Sequence, residues 1–269
     1  MDFQTADRAR TGEIDRRPAV VFTHAAARDP RLFELRGEAM RRLFPKSRVG
    51  PGRLEVRVAQ RIYAHLAEAA TVHELQRRLR SVARYPLELI EGVRLSDGRA
   101  VLVRPVLPSD APLQRAFVRS MSAATRRNRF HGGVADLPAA VLRYMTEVDY
   151  VDHLALVGEI DDAAGQRQVA EARWVRRGDA PERADFAIAV ADDCQGSGLG
   201  NTLLDMLERS AAERGIDRLC AHVLHANRRM IGWLEARAWR IGRDPDDAGV
   251  VTAELPLRQG VARRWREAA

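Results

Sequence analysis

The apolar positions of the chain follow two periods, and the change between them divides it. From residue 29 to residue 85 they recur at helical spacing. Asp29-Pro30 supplies an N-cap and an N1 proline for a first helix carrying Leu32, Phe33, Leu35, Met40 and Leu43, which stops near Pro45. After a Gly50-Pro51-Gly52 loop, Leu54, Val58, Ile62, Tyr63 and Leu66 line a second helix. Thr71 with Glu74 matches a capping box for a third, whose stripe is Val72, Leu75, Leu79 and Val82, up to Tyr85-Pro86. Residues 1–17 read as a polar, disordered terminus and residues 18–90 as a basic helical segment.

From Val93 the period becomes two. Val93 to Leu95 and Val101 to Val103 alternate around Asp97-Gly98, the signature of a β-hairpin. Ser109 caps a helix to about Ser120; a second is predicted near 122–130, and Pro138 opens a third that ends near Val148. Strands are predicted at 153–160, 167–176, 184–190, 217–224, 239–242 and 250–255. Helices fall at 198–214, stopped by Gly215, and at 227–237. This alternation predicts an α/β domain over 91–257, a mixed sheet covered by helices, with a basic tail at 258–269.

Composition narrows the picture. With 46% apolar and 30% charged residues the chain can bury a core, and the longest uncharged run, Cys194 to Leu204, falls short of the roughly 18 residues of a membrane span. Asp2, Asp7, Glu13 and Asp15, with no apolar run behind them, argue against a secretory signal, so a soluble cytoplasmic protein with no membrane partner is expected. Cys194 and Cys220 form no framework, and without a CxxC or HExxH spacing no metal is expected. The net charge of +7 lies in residues 1–90, which hold 18 basic and 11 acidic groups against 26 of each in 91–269. The arginines there are scattered and do not alternate with aromatic residues in a base-stacking pattern, so this surface reads as solvated and a nucleic-acid partner is not expected. Of the 44 basic residues only Lys46 is a lysine.

The run that carries chemistry is Val190 to Asn201, between a predicted strand and an amphipathic helix. Its glycines free backbone N–H groups at a helix N-terminus, an anion cradle suited to a pyrophosphate. A P-loop needs a lysine after Gly200, and a dinucleotide fingerprint needs a third glycine three positions after Gly198; Asn201 stands at both places, and both patterns fail. On the strand before it, Phe186, Ile188 and Val190 alternate with Asp185, Ala187 and Ala189; the first set is expected to face the core and the alanines to leave room for a ligand.

The loop resembles that of the GNAT superfamily of acyl-CoA-dependent N-acetyltransferases, whose Arg/Gln-x-x-Gly-x-Gly/Ala pattern matches Gln195, Gly198 and Gly200. From Leu95 to Arg240 the chain is similar to the catalytic domain of bacterial Pat-type protein lysine acetyltransferases, through Val101 to Pro105, Ser122 to Phe130, Asp149-Tyr150, Phe186 to Asp193 and Asn227 to Met230. The resemblance implies a GNAT fold with a small helical N-terminal extension and acetyl-CoA as co-substrate, with no metal. The backbones of Ile188, Ala189 and Val190 would pair with the pantetheine arm, Gln195, Gly196, Ser197, Gly198, Leu199, Gly200 and Asn201 would hold the pyrophosphate, and Asn227 would reach the pantetheine or simply cap its helix.

A lysine amine is protonated at pH 7 by about 3.4 pKa units, roughly 4.6 kcal/mol, so a base is needed. The Pat-type glutamate ten positions before Gln195 is here Asp185, expected to act through a bridging water, with Glu171 on the adjacent strand in reserve. The tyrosine that many GNAT enzymes carry seven residues after the helix Asn is Leu234, and the Gly-Phe that often ends that helix is Ala238-Trp239. His222 and His225 flank the cleft and read as structural. The implied function is acetyl transfer to a primary amine, the acceptor a protein lysine on a partner such as an acyl-CoA synthetase. A small-amine acetyltransferase and a non-catalytic acyl-CoA-binding module are the alternatives.

Overall fold

The computed structural model describes residues 30–43, 53–132, 134, 136–162 and 165–257. The expectations for Asp29, for residues 1–17, for the Gly50-Pro51-Gly52 loop and for the 258–269 tail lie outside them. Three helices come first: α1 (Pro30–Leu43), α2 (Arg53–Ala67) and α3 (Val72–Val82). Leu32, Val58, Ile62, Leu66, Leu75 and Val82 are buried where the helical spacing puts them. The Thr71 hydroxyl accepts from the Glu74 N–H at 3.1 Å, and the Glu74 carboxylate accepts from Ala70 N at 3.1 Å. The capping box is thus shifted by one residue on its return arm. The buried Arg36 of α1 donates to the carbonyls of Leu66, Ala67 and Ala69 at 3.1, 3.2 and 2.8 Å, so a guanidinium satisfies the orphaned end of α2.

The domain that follows is built on eight strands: β1 (Glu91–Arg94), β2 (Ala100–Pro105), β3 (His153–Asp162), β4 (Gly165–Arg176), β5 (Arg183–Val190), β6 (Arg218–Leu224), β7 (Arg240–Arg243) and β8 (Val250–Pro256). They form one sheet in the order β1-β2-β3-β4-β5-β6-β8-β7, antiparallel except for the parallel pair β5–β6. Helices α4 (Ala111–Ser120), α5 (Ala123–Phe130) and α6 (Ala139–Thr146) cover one face, where Gln168 of β4 donates to Gln114 of α4 at 2.6 Å. Helices α7 (Leu199–Glu213) and α8 (Arg228–Ala236) cover the other, where Trp174 of β4 donates to Ser210 of α7 at 2.9 Å. At Gly158, beside a register shift, a Cβ would meet Val101 at 3.2 Å and Ala170 at 3.3 Å; a side chain there would force the strands apart.

The expected cap at Ser109 is not the one formed. Pro108–Asp110 is a 3-10 turn, and α4 starts after it because the Asp110 carboxylate is drawn inward, accepting from Leu107 N at 2.7 Å. Arg104, wholly buried on β2, donates both ends of its guanidinium to Asp110 at 2.7 Å and reaches the buried Glu159 of β3. Arg61 of α2 completes the quartet, 2.7 Å from Asp110 and 3.0 Å from Glu159. Two cations and two anions cancel, which lets four charges share a dry site. Burial works to raise the Asp110 pKa, but Arg104 and Arg61 outweigh it and hold the carboxyl below its ordinary range. With the Tyr85 hydroxyl on the Pro105 carbonyl at 2.8 Å, the quartet locks the N-terminal helices onto the domain.

Two outcomes follow for stability. Arg104→Met strands two buried carboxylates beside one remaining cation and is expected to lower unfolding free energy by about 3–5 kcal/mol in urea denaturation. A loss under 1 kcal/mol would show that the quartet contributes little. Ala238 sits in the left-handed region at φ 64°, where a glycine would be free of strain. Ala238→Gly is therefore expected to stabilise the fold by up to about 1 kcal/mol, read in the same titration, because relieved strain exceeds the extra chain entropy of glycine.

Candidate active site

Strands β5 and β6 pair at only three positions, Arg183 with Arg218, Ala184 with Leu219 and Asp185 with Cys220. Beyond them both strands continue, β5 to Val190 and β6 to Leu224, without pairing to each other. The sheet opens there into a V, and a cavity of about 530 Å³ occupies it. Ala191 N donates to Val169 O at 2.7 Å, so along β5 the backbone groups of odd-numbered residues point to β4 and those of even-numbered ones to the opening. Ile188 and Val190 thus present N–H and C=O groups to the cleft, while those of Ala189 belong to the β4 ladder. The Val190 carbonyl already accepts from the Gln195 side chain at 3.1 Å.

The side chains of β5 depart from the expected division into a core face and an open face. Phe186 is buried against Trp239, their rings 5.4 Å apart, but Ile188 and Val190 are half-buried and line the cavity. The reason is the splay itself: once β6 leaves, nothing covers that edge of the strand. Ala187 and Ala189, on the other face, line the cavity too.

At the mouth of the V the chain turns through Asp192–Cys194 into the amino end of α7, with Gly196 at φ 79° and Gly198 at φ 92°. The Gly198 carbonyl takes the amides of Asn201 and Thr202 at 3.0 and 3.2 Å. Among the described residues, no backbone carbonyl engages the amides of Gly196, Ser197, Gly198, Leu199 or Gly200. Five successive donors at a helix N-terminus form a cradle for a polyanion. A Cβ on Gly198 would meet nothing within 4 Å, so a side chain there would project into open space at the cradle.

The loop is tied down on every side. Asp192 accepts from the N–H and hydroxyl of Ser122, at 2.8 and 2.9 Å, and from the Thr125 hydroxyl at 2.7 Å, fixing the start of α5. Burial pushes the Asp192 pKa up, yet these hydrogen bonds prevail and hold it low. Asp193 is drawn down to about 2, first by its bond from Arg167, against a burial effect of opposite sign, and further by Arg99. Gln195 also accepts from Arg229 of α8. Asn201 accepts from Trp233 at 2.8 Å, tying α7 to α8, and Asn227 caps α8 by accepting from Met230 N at 3.2 Å while lining the cavity. Ser122, Thr125, Arg229 and Trp233 drew no role from the sequence, because their partners are 32 to 70 positions away.

The candidate acid–base groups separate in space. Asp185 stands at the apex of the V, its side chain half-exposed and paired with Arg177 at 2.6 Å. Glu171 lies under the opening, 1% exposed, clamped by Arg173 and by Arg129 at 3.1 Å. Burial works to raise its pKa, but the two arginines win and keep it below the ordinary carboxylate range. Leu234 is fully buried and offers no proton. Cys194 is buried beneath the loop, and burial raises its thiol pKa. Among the described residues no group of three or more His, Cys, Asp or Glu side chains could hold a metal, and no helix is long and apolar enough to cross a membrane.

The acetyltransferase (GNAT) family pattern matches residues 140–239, from α6 to the residue before β7. The chain is 32% identical over 163 residues to acetyltransferase PA5475 of Pseudomonas aeruginosa, covering 61% of this chain and 87% of that protein. It is 34% identical over 167 residues to acetyltransferase Pat of Mycolicibacterium smegmatis, covering 61% of this chain and 48% of that protein, so it spans about half the length of that relative. The solved GNAT domain of S. lividans PAT superposes with a TM-score of 0.59 at 31% identity, covering 65% of this chain and all of that one. By these likenesses the chain belongs to the GNAT family of acetyltransferases, closely related to the bacterial Pat-type proteins.

Proposed function

We propose that the protein transfers the acetyl group of acetyl-CoA to the side-chain amine of a protein lysine. The observation that carries this reading is the splay after Asp185, with the backbone groups of Ile188 and the N–H of Val190 facing the cleft on one wall and the amides of Gly196 to Gly200 at its mouth. These groups fit the donor's two polar parts: an amide-bearing arm along a strand edge, and a diphosphate at the cradle. The thioester supplies an activated acyl carbon; the chain supplies alignment and a place for the proton.

Asp185 is the base of this reading. It sits where the strands part, exposed enough to reach the amine through a water, and its ion pair with Arg177 fixes its carboxylate in place. Glu171 serves differently, holding Arg129 of α5 over the sheet. The resemblance to Pat-type protein lysine acetyltransferases supports a protein acceptor, and an acyl-CoA synthetase is the substrate proposed.

Radiolabelled acetyl-CoA offered with a candidate acyl-CoA synthetase and with a panel of small amines tests the acceptor. Label is expected in the synthetase; label confined to the small amines would overturn the protein-lysine reading. Asp185→Asn is expected to lower kcat by about 10²-fold or more with acetyl-CoA affinity unchanged by calorimetry. Gly198→Val combines a side chain at the cradle with a backbone strain of about 1–2 kcal/mol, and is expected to weaken acetyl-CoA binding at least tenfold in the same calorimetry.

A further inference from the structure

On the β6 wall of the cleft, two residues beyond the last paired position, stands His222. Cys220 is level with Asp185, and side chains two apart on a strand share a face, so His222 lies on the same face of the sheet as Asp185, beyond the point where the strands separate. Its side chain is 45% exposed. The turn between β7 and β8 brings Asp244 to it: the Asp244 carboxylate is 3.6 Å from Nε2 and only 11% exposed. That carboxylate is itself fixed by the N–H groups of Asp246 and Asp247, at 2.9 and 3.1 Å. His131, at the left-handed end of α5, lines the same cavity as His222, and its ring lies close to that residue. The titratable and charged groups around it are therefore Asp244 on His222 itself, His131 from α5 with Arg129 and Asp247 close to that ring, and Cys220 and Asp185 on the sheet.

We infer that His222 is a further catalytic residue, the acceptor of the proton that the amine nitrogen sheds as it is acylated, with Asp244 as its positioning residue. The inference rests on the acetyl-transfer reading above. Two protons must leave an alkylammonium that becomes an amide, and one carboxylate accounts for the first. Asp185 takes that one and leaves a neutral amine. The nitrogen then bonds to the acyl carbon, the carbon–sulfur bond breaks, the nitrogen's second proton passes to the imidazole, and the thiolate takes a proton from water. A carboxylate facing Nε2 favours the tautomer with its hydrogen there and leaves Nδ1 as the lone-pair acceptor. Half-exposure lets the imidazolium return its proton to solvent. Arg177 stands against Asp185, whereas among the described residues no guanidinium forms an ion pair with His222, which separates the two groups chemically.

The test uses the full chain with acetyl-CoA, the candidate synthetase and n-butylamine as the lysine mimic. His222→Gln is expected to lower kcat about 10²-fold with the KM for acetyl-CoA and its calorimetric affinity unchanged. His222→Gly is expected to regain activity at least tenfold on addition of imidazole, which a structural role would not produce. Asp244→Asn, whose amide oxygen can keep the turn's hydrogen bonds, is expected to lower kcat about tenfold without altering acetyl-CoA binding. If wild-type protein acetylates either acceptor and His222→Gln does so equally fast, or if His222→Gly binds acetyl-CoA normally but imidazole fails to restore it, the assignment to His222 falls while the acetyl-transfer reading stands. Wild-type protein that binds acetyl-CoA and labels neither acceptor would overturn the reading itself, and this assignment with it.

Discussion

The structure depends on the early end of the β5–β6 ladder. A parallel pair inside a sheet normally continues as far as both strands do, because an unpaired backbone group shielded from water is unfavourable. Here pairing stops after Asp185 and Cys220, although five more residues of β5 and four of β6 keep strand conformation. Both strands can do this because each has another partner: β5 is held by β4 over its whole useful length, and β6 by β8. The sheet survives its own gap, and the gap leaves a row of peptide groups in need of a partner.

Holding such a gap open in one shape requires a rigid rim. The ties of Asp192 to α5 and of Gln195 and Asn201 to α8 run between elements far apart in sequence, and Gln195 also holds the end of β5 five residues before it. Asp193, bound by Arg99 and Arg167, joins the loop to the first hairpin and to β4. The cradle amides therefore point the same way before any ligand arrives, and little ordering is left to be done on binding.

How much of this the sequence showed follows from range. Periodicity placed α1 to α8 and β1 to β8 within a few residues, because each is decided by its own side chains and caps. The loop was legible for the same reason: Gly196 and Gly198 occupy left-handed positions within one short run. What escaped was decided across the fold. Ser109 looked like a cap, but Arg104 and Arg61 pull Asp110 inward instead. Ile188 and Val190 alternate as core residues do, and only the departure of β6 leaves them open. His222 and Asp244 are 22 positions apart and meet only because β8 lies between β6 and β7.

The ion pairs that fasten this molecule have a property that bears on its chemistry. The cation in the quartet, the Glu171 clamp, the loop anchors and the α7–α8 contact is in each case an arginine, and the chain's single lysine, Lys46, lies outside the described residues. Guanidinium groups stay protonated far above neutrality and so lack the free nitrogen lone pair that attacks a thioester. A catalyst handling an acylating agent thus has a framework that its own reagent does not neutralise. Prolonged exposure to activated acyl groups, which would erode a scaffold pinned by ammonium ions, leaves these contacts intact.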